Sequence, residues 1–230
     1  MMMDIIKRLN RVSIFEGLTE IQLAKIAEIA TQESFKKGQY LFRQGEPAQW
    51  LYLIMRGRIK LVKHAPTGAT TIIEIYSVGD ELSSAALIED GPYPASARAL
   101  TDVIILKLSK SVFKKMLHEW PKVSFNVIRE LGIKYQDVVD NLSSLAVYKV
   151  EGRLCRAISG LTRRYGVYGD CRGVILDISL TRQDLADITG TTLETTIRTL
   201  NKLRNAGLIK WEGKRFFIPD VKALENTVPH

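Results

Sequence analysis

The stretch LTRQDLADITGTTLETTIRTLNKL, residues 180–203, predicts two short helices joined by a tight turn. Thr181 stands before the first helix, where its hydroxyl can accept a hydrogen bond from an amide near Asp184. Leu185 and Ile188 give that helix an apolar face that is directed inward. Two amphipathic helices with so short a connection indicate a helix-turn-helix.

The second helix of this segment has an inward and an outward face. It follows Gly190, and both Thr191 and Thr192 are candidates for its N-cap. Thr191 and Glu194 also have the spacing of a capping box. Three residues share the inward face: Thr196, Leu200 and Leu203. Four polar residues share the outward face: Glu194, Thr195, Arg198 and Asn201.

Glu194 and Arg198 lie four residues apart, so a carboxylate acceptor and a forked guanidinium donor share one face. Base edges in the major groove of DNA present the donors and acceptors that such a pair can read. The alternative is a helical hairpin whose solvated charges stabilise the helix only slightly. We expect the DNA-reading arrangement, because the rest of the chain supports it.

A β-hairpin is predicted directly after the second helix. Residues 208–211 (LIKW) and 215–218 (RFFI) have the composition of strands, and Glu212, Gly213 and Lys214 form the turn between them. Beside a helix-turn-helix, this hairpin would form a wing.

Length and composition are those of a two-domain globular protein. The 230 residues are 46% hydrophobic, and neither a run of eighteen apolar residues nor a signal-peptide pattern occurs. The formal charge of +8 favours a polyanionic partner. From residue 148 onward, 14 Lys and Arg stand against 9 Asp and Glu, so the positive excess is denser around the helix-turn-helix. We expect a cytoplasmic, DNA-binding protein with no membrane partner.

The two cysteines are too few and too poorly spaced for a structural zinc site or a disulfide framework. Cys155 lies in an apolar repeat and is expected in the core. Cys171 is expected to be an exposed thiol that could have a redox role. No metal site is predicted.

From about residue 35 to residue 108 the chain consists of short β-forming runs separated by glycines. The runs are residues 39–42, 50–54, 58–62, 71–75 and 103–106. This pattern is typical of an antiparallel roll or jelly roll. A helical leader precedes the runs, with Thr19 as its cap and four apolar residues on one face: Leu18, Leu23, Ile26 and Ile29.

A long helix is predicted after Pro121. Its apolar residues advance by three and four: Ile128, Leu131, Tyr135, Val138, Leu142 and Leu145. So narrow a stripe suits pairing with a second copy of the helix, and the alternative packs the stripe against the chain's own β-domain. A two-fold dimer would place two recognition helices on one duplex.

These patterns predict an α+β protein of three parts. Residues 1–120 form an N-terminal antiparallel β-roll, and residues 121–147 form a dimerisation helix. Residues 148–230 form a C-terminal winged helix-turn-helix that binds DNA.

The order of these parts resembles the Crp/Fnr family of bacterial transcription regulators, over nearly the whole chain. The matching motifs are KG at 37–38, GE at 45–46, YxIxxGxIxL at 52–61, VGD at 78–80, VxGRL at 150–154, TRQDLAxxxG at 181–190 and ETxxR at 194–198. The resemblance implies a cyclic-nucleotide-binding-like jelly roll and a homodimer that binds palindromic double-stranded DNA. It also implies RNA polymerase as a partner and a small-molecule effector that the β-roll of residues 1–120 senses.

In this family the matching glutamate and arginine read a TGA-type core in each half-site. The resemblance implies that Glu194 accepts from a cytosine amino group and that Arg198 donates to guanine or to a neighbouring base and phosphate. Arg182 would contact a phosphate. Leu193 stands where some members carry another base-reading arginine, so the preferred half-site is expected to differ. The complete set of predicted DNA contacts is Arg182, Thr192, Glu194, Thr195, Arg198 and Asn201.

The largest departure from the family concerns the effector. Members that bind cyclic nucleotide carry a Gly-Glu pair for the ribose and an Arg-Ser pair for the phosphate. Here these positions fall on Ser83-Ser84 and on Tyr93, Pro94 or Ala95, which offer no cation to a buried phosphate. Arg98 is expected to point elsewhere from the next strand. The candidate pocket residues are Ser83, Ser84, Tyr93, Ala95 and Arg98, and cyclic AMP is not the expected effector.

The identity of the effector stays open. The N-terminal segment has no cysteines for an Fnr-type iron–sulfur cluster. The stretch LFRQGEPAQWLYLI, residues 41–54, is similar to the haem-dependent nitric-oxide-sensing branch, and haem could take His64, His118 or Met55 as an axial ligand. Other small molecules, or activity without an effector, are the alternatives.

Two further functions compete with DNA-binding regulation. Catalysis is not expected, because the sequence has no phosphate loop, no metal triad and no recognisable nucleophile with its base. A cyclic-nucleotide-type sensory module that regulates a protein partner is the other alternative. The intact helix-turn-helix and wing favour DNA over a protein partner.

Overall fold

The computed structural model describes residues 2–168, 173–178, 180–212 and 215–227, and for residues 140, 141, 144–146 and 212 only the backbone. The chain divides into two compact units, Met1–Asp137 and Val138–His230. This division falls inside the segment 121–147, which the sequence sets apart as a dimerisation helix.

The first unit contains two four-stranded antiparallel sheets. Their strands are β1 (Thr31–Phe35), β2 (Tyr40–Phe42), β3 (Trp50–Arg56), β4 (Ile59–His64), β5 (Thr70–Tyr76), β6 (Glu81–Leu82), β7 (Ser96–Ala99) and β8 (Val103–Ser109). One sheet has the order β1-β8-β3-β6 and the other the order β2-β7-β4-β5. The predicted antiparallel roll is confirmed.

Five of these strands contain the β-forming runs of the sequence, and three strands were missed. β1 is mostly polar, β6 has two residues, and β7 carries two alanines. None of them has the run of β-branched or aromatic residues that marks a strand. β1 and β7 form because longer neighbours, β8 and β4, supply the hydrogen-bonding edge.

The helices of this unit are α1 (Met2–Leu9), α2 (Glu20–Ile29), α3 (Ser84–Ile88), α4 (Lys110–Glu119) and the first part of α5 (Pro121–Val147), with a 3-10 turn at Ser13–Phe15. Thr19 caps α2 in a capping box with Gln22, as predicted for the leader helix. Leu23 and Ile26 are buried, but the inward placement of Ile29 is wrong. Ile29 is the last residue of α2, where the chain leaves the core for β1, and its side chain is exposed.

One cluster of buried side chains joins both sheets and the helices around them. Its fully buried members include Ile14, Phe15, Leu51, Ile54, Ile59, Leu87 and Phe113. Burying each such side chain contributes about 1.5 to 3 kcal/mol. The start of α5 belongs to the same core, because Val123 and Val127 are buried and Asn126 donates to the carbonyls of Ile14 and Glu16 over 3.2 and 2.9 Å.

The second unit is a winged helix. Its helices are α6 (Val150–Tyr165), α7 (Arg182–Thr189), α8 (Leu193–Asn205) and α9 (Val221–Asn226). Its strands are β9 (Gly166–Tyr168), β10 (Val174–Leu176), β11 (Lys210–Glu212) and β12 (Arg215–Ile218), in the order β11-β12-β10-β9. Cys155 is buried as predicted, and burial raises the pKa of its thiol to about 11. Cys171 lies outside the described residues.

None of the helices in the described ranges combines the length and the hydropathy needed to cross a lipid bilayer. The same ranges hold no cluster of three or more His, Cys, Asp or Glu side chains that could bind a metal ion.

Candidate nucleic-acid interface and effector region

The start of α7 is fixed by two reciprocal hydrogen bonds. The amide of Asp184 donates to the hydroxyl of Thr181 over 3.0 Å, and the amide of Thr181 donates to the Asp184 carboxylate over 2.9 Å. This capping box confirms Thr181 as the N-cap and satisfies amides that have no partner within the helix. Arg182 follows directly, so its exposed side chain projects from a helix end whose backbone is fixed.

The turn between α7 and α8 depends on Gly190 and on a neighbouring helix. Gly190 has a φ of 62°, in the left-handed region that favours glycine at a helix end. Arg153 of α6 donates from Nε to the carbonyl of Thr189 over 3.0 Å and from Nη1 to that of Tyr148 over 3.2 Å. Arg153 therefore fixes the end of α7. Sequence reasoning gave it no role, because the contact joins residues 36 apart.

The N-cap of α8 is Thr192, whose hydroxyl accepts from the amide of Thr195 over 3.2 Å. The predicted capping box of Thr191 and Glu194 is wrong. Because the helix begins at Leu193, its third position is Thr195 and not Glu194. The hydroxyl of Thr192 also donates to that of Thr195 over 2.9 Å, so both threonines have structural partners at the edge of the outward face.

The two faces of α8 follow the predicted division. Three residues are buried: Thr196, Leu200 and Leu203. On the outward face Glu194, Arg198 and Asn201 are exposed, while Thr195 is half-buried. Within the part of the chain that the structure describes, Glu194 and Arg198 form no ion pair with each other or with a neighbour. Both charged groups are therefore available to a ligand.

Two apolar side chains share the exposed side of α8. Leu193 is 40% exposed and Ile197 is 37% exposed, and their four-residue spacing places them side by side next to Glu194 and Arg198. Sequence reasoning missed Ile197, because polarity alone defined the outward face. Apolar groups beside an exposed carboxylate and guanidinium suit contact with thymine methyl groups.

The predicted wing is confirmed by β11 and β12, which pair antiparallel with Trp211 opposite Phe216. The turn residues Gly213 and Lys214 lie outside the described residues. The ring centres of Trp211 and Phe216 are 4.1 Å apart. The guanidinium carbon of Arg182 lies 5.2 Å from the centre of the Trp211 ring. An aromatic ring of the wing thus contacts the start of α7.

Exposed basic side chains accompany these elements: Arg182, Arg198, Lys202, Arg204, Lys210 and Arg215. Two of them have carboxylate partners, Lys202 with Glu151 at 2.5 Å and Arg215 with Asp177 at 3.2 Å. A surface of this charge suits a ligand that carries a row of phosphates.

The apolar stripe predicted for dimerisation is largely exposed on α5. Four of its residues face solvent: Ile128 at 67%, Tyr135 at 71%, Val138 at 49% and Leu142 at 61% exposure. Leu131 is half-buried against the core of the first unit instead. The side chain of Leu145 lies outside the described residues. Phe125 and Val139, which sequence reasoning missed, add to the exposed apolar surface.

The first two candidate effector residues are held by the chain's own groups. Ser83 has a φ of 81°, a value that glycine adopts readily. Its hydroxyl donates to the carbonyl of Trp50 over 2.6 Å. The buried Ser84 donates its hydroxyl to the carboxylate of Glu81 over 2.8 Å. Both hydroxyl protons are therefore used within the roll.

Glu81 is a buried carboxylate that sequence reasoning missed. Nζ of Lys134 on α5 lies 3.0 Å from it and 5.3 Å from the centre of the Tyr76 ring. Burial is the largest single influence on the pKa of Lys134 and lowers it, but the carboxylate of Glu81, together with those of Glu74 and Glu130, outweighs burial, so the pKa is raised. No local signal reveals the pair, since its members are 53 residues apart.

Tyr93 is part of an aromatic cluster in the roll. Its ring stacks on Phe42 with the ring centres 3.9 Å apart. Its hydroxyl accepts from the amides of Gln49 and Trp50 over 3.2 and 3.3 Å. Ala95 is buried as well. At the positions that the resemblance assigns to the phosphate-binding pair, this chain has a packed ring and a methyl group.

Two cations lie near this segment. Arg98 donates from Nε to the carbonyl of Gly38 over 2.9 Å, and its guanidinium lies 5.5 Å from the centre of the Tyr40 ring. Lys63 is exposed and donates to the carbonyl of Pro94 over 2.5 Å. Sequence reasoning missed Lys63, because only the pairing of β4 with β7 brings it there.

The three candidate haem ligands lie in different surroundings. His64 ends β4 and His118 lies on α4, and both are exposed. Met55 is buried within the main core cluster.

Two family models match the chain. A cyclic nucleotide-binding domain matches residues 32–119, and a Crp-like helix-turn-helix domain matches residues 152–227. The CRP-like cAMP-activated global transcriptional regulator of Mycobacterium tuberculosis is 27% identical over 217 residues, which cover 94% of this chain and 96% of the relative. The anaerobic regulatory protein of Bacillus subtilis is 29% identical over 185 residues, which cover 80% and 77%.

Solved structures share the fold. FixK2 from Bradyrhizobium japonicum aligns with a TM-score of 0.76 at 23% identity, over 86% of this chain and 96% of that one. A CooA mutant from Carboxydothermus hydrogenoformans aligns with a TM-score of 0.75 at 19% identity, over 92% and 91%. The α+β architecture of roll, long helix and helix-turn-helix is therefore common to these proteins.

Proposed function

Because the chain belongs to the Crp/Fnr family of DNA-binding transcription regulators, we propose that it binds a palindromic operator as a homodimer under the control of a small molecule. The observation that carries this proposal is the outward face of α8. Glu194 and Arg198 are exposed there without ion-pair partners among the described residues.

Base readout rests on the chemistry of this face. The carboxylate of Glu194 accepts from a cytosine amino group, and Arg198 donates to guanine in the major groove. Arg182 binds a phosphate from the first turn of α7 and orients the domain without reading sequence. Asn201 extends the polar face, while Thr192 and Thr195 contribute from its edge.

Dimerisation rests on the exposed stripe of α5. A single chain that leaves Ile128, Tyr135 and Leu142 in water gains free energy when a second copy covers them, at about 25 cal/mol per Å² of apolar surface. The three-and-four spacing suits a parallel pair of helices. A two-fold dimer then places two α8 helices on half-sites about one turn of DNA apart.

The proposed effector is a small molecule other than cyclic AMP. Tyr93 and Ala95 offer no cation at the position where a cyclic phosphate would be neutralised. The nearby carboxylate of Glu81 has Lys134 as its partner, so that ammonium is already engaged. In this proposal the protein works in the cytoplasm, is not an enzyme, and contacts RNA polymerase when bound to its operator.

A selection from random duplex DNA tests the function. We expect enrichment of a palindrome whose half-sites lie about 10 base pairs apart from centre to centre. Analytical ultracentrifugation should show one dimer on each selected duplex. Failure to enrich any sequence, while a protein partner is retained from the cell extract, would favour the sensory module that regulates a protein.

A further inference from the structure

Arg182 and Trp211 come from different elements of the second unit. Arg182 is the first residue of α7, and Trp211 lies in the wing strand β11. The guanidinium carbon stands 5.2 Å from the centre of the indole ring, within the range of a cation–π contact. Tryptophan is the aromatic side chain that attracts a cation most strongly.

The ring of Trp211 is itself held in place. Phe216 is directly opposite in the wing hairpin, with ring centres 4.1 Å apart and a 36° angle between the ring planes. Phe216 is buried. A buried residue therefore fixes the orientation of the ring that Arg182 meets.

A cation–π contact leaves the hydrogen-bonding edge of a guanidinium free. The contact uses the charge and the flat face of the group, whereas a phosphate is bound by the N–H groups in its plane. An exposed arginine otherwise samples many rotamers, and fixing one of them upon binding costs conformational entropy. A ring that holds the side chain before DNA arrives reduces this cost.

We propose that Trp211 is a positioning residue, which holds Arg182 in the orientation that contacts a DNA phosphate. This inference rests on the proposed DNA binding. The wing then contributes to DNA affinity by positioning a side chain of α7, in addition to any contacts of its own basic residues.

The test is a double-mutant cycle on the selected operator, with Arg182→Ala, Trp211→Leu and the double variant. Trp211→Leu should weaken operator binding by about 2- to 5-fold, because a cation–π contact at an exposed site has this strength. In the Arg182→Ala background the same change should have no further effect. Trp211→Phe retains an aromatic face and should recover most of the affinity.

Lys210→Ala provides the matched control on the same strand. Lys210 is exposed beside Trp211. The fold losses in affinity caused by Lys210→Ala and by Arg182→Ala should multiply in the double variant, because the two side chains act independently. Circular dichroism melting checks that each variant is folded. The salt dependence of binding gives a second readout, since Trp211→Leu should reduce its slope without removing a charge.

If the losses of Trp211→Leu and Arg182→Ala multiply, or if Trp211→Leu binds like the unaltered protein, the inference is overturned while the proposed function stands. If the unaltered protein selects no operator, both are overturned. If the losses of Trp211→Leu and Arg182→Ala do not multiply, and if Trp211→Phe keeps most of the affinity, the inference is supported.

Discussion

Arg198 and Arg182 carry the same charge at different places in the helix-turn-helix. Arg198 lies on the exposed face of α8 beside Glu194, while Arg182 leaves the capped start of α7 and meets the wing. A group on the recognition face can approach base edges, and a group at the start of the preceding helix can approach the backbone.

We predict that Arg198→Ala weakens binding to the cognate operator by about 1 to 3 kcal/mol and relaxes its sequence preference. Arg182→Ala should weaken cognate and unrelated duplexes alike and lower the salt slope by about one unit. Fluorescence anisotropy on both duplexes, at several salt concentrations, measures these effects. Equal loss of discrimination in the two variants would contradict the assignment.

The pair of Glu81 and Lys134 allows a second prediction at the residue scale. Lys134→Met removes the partner of a carboxylate that is only 2% exposed, and the expected loss of stability is about 3 to 5 kcal/mol. Adding Glu81→Gln removes the buried charge and should restore much of that loss. Urea unfolding of the unaltered protein and of the two variants measures the free energy of unfolding. Equal stability of the single and double variants would show that the unpaired charge does not cause the loss.

Among the elements, α5 has one face that is buried in the core of the first unit and another that is exposed to solvent. Val123, Asn126 and Val127 pack into the first unit, whereas Ile128 and Tyr135 face solvent. Leu131 is half-buried against the core, so changing it would disturb folding as well as association.

We therefore predict that Ile128→Glu with Tyr135→Glu gives a folded monomer that loses specific DNA binding. The charges would be buried without partners in the dimer but remain solvated in the monomer. Sedimentation velocity measures the association state and thermal melting measures the folding. Gln136→Glu, an exposed change on the same helix, is the control and should stay dimeric; a dimer in both variants would exclude this stripe as the interface.

The elements that the sequence predicts well have strong local signals. Thr181 and Gly190 mark the limits of α7 through their own backbone preferences, and the spacing of Leu200 and Leu203 identifies the buried face of α8. β7 could not be found, because two alanines carry no strand preference and its formation depends on β4.

Only part of the candidate site could be predicted from the sequence. The outward residues of α8 follow from helical periodicity alone. The contacts of Arg153, Lys63 and Trp211 join residues that are far apart along the chain, and only the folded structure brings them to their partners.

On the scale of the whole molecule, a roll that matches a cyclic nucleotide-binding domain holds a packed tyrosine near the expected phosphate position. We predict that cyclic AMP and cyclic GMP do not bind with micromolar affinity and are not required for DNA binding. The missing charged hydrogen bond alone is worth roughly 1.5 to 3 kcal/mol, about one order of magnitude or more in affinity. Isothermal titration calorimetry measures binding, and a micromolar dissociation constant would mean that Lys63 or Arg98 reaches the phosphate.

The contacts of Asn126 bear on folding during synthesis, because they join the roll to a helix that follows it in the chain. Its amide donates to the carbonyls of residues 14 and 16, and Lys134 pairs with Glu81, so these buried groups gain their partners from α5 only after that helix has been synthesised. A fragment of residues 1–120 should therefore melt at a lower temperature than a fragment of residues 1–137, as circular dichroism can measure. Equal melting of the two fragments would show that the roll matures without the helix. With the expected result, a nascent chain completes the core of its roll only as the helix proposed for dimerisation emerges, so chains that associate through that helix would already have folded rolls.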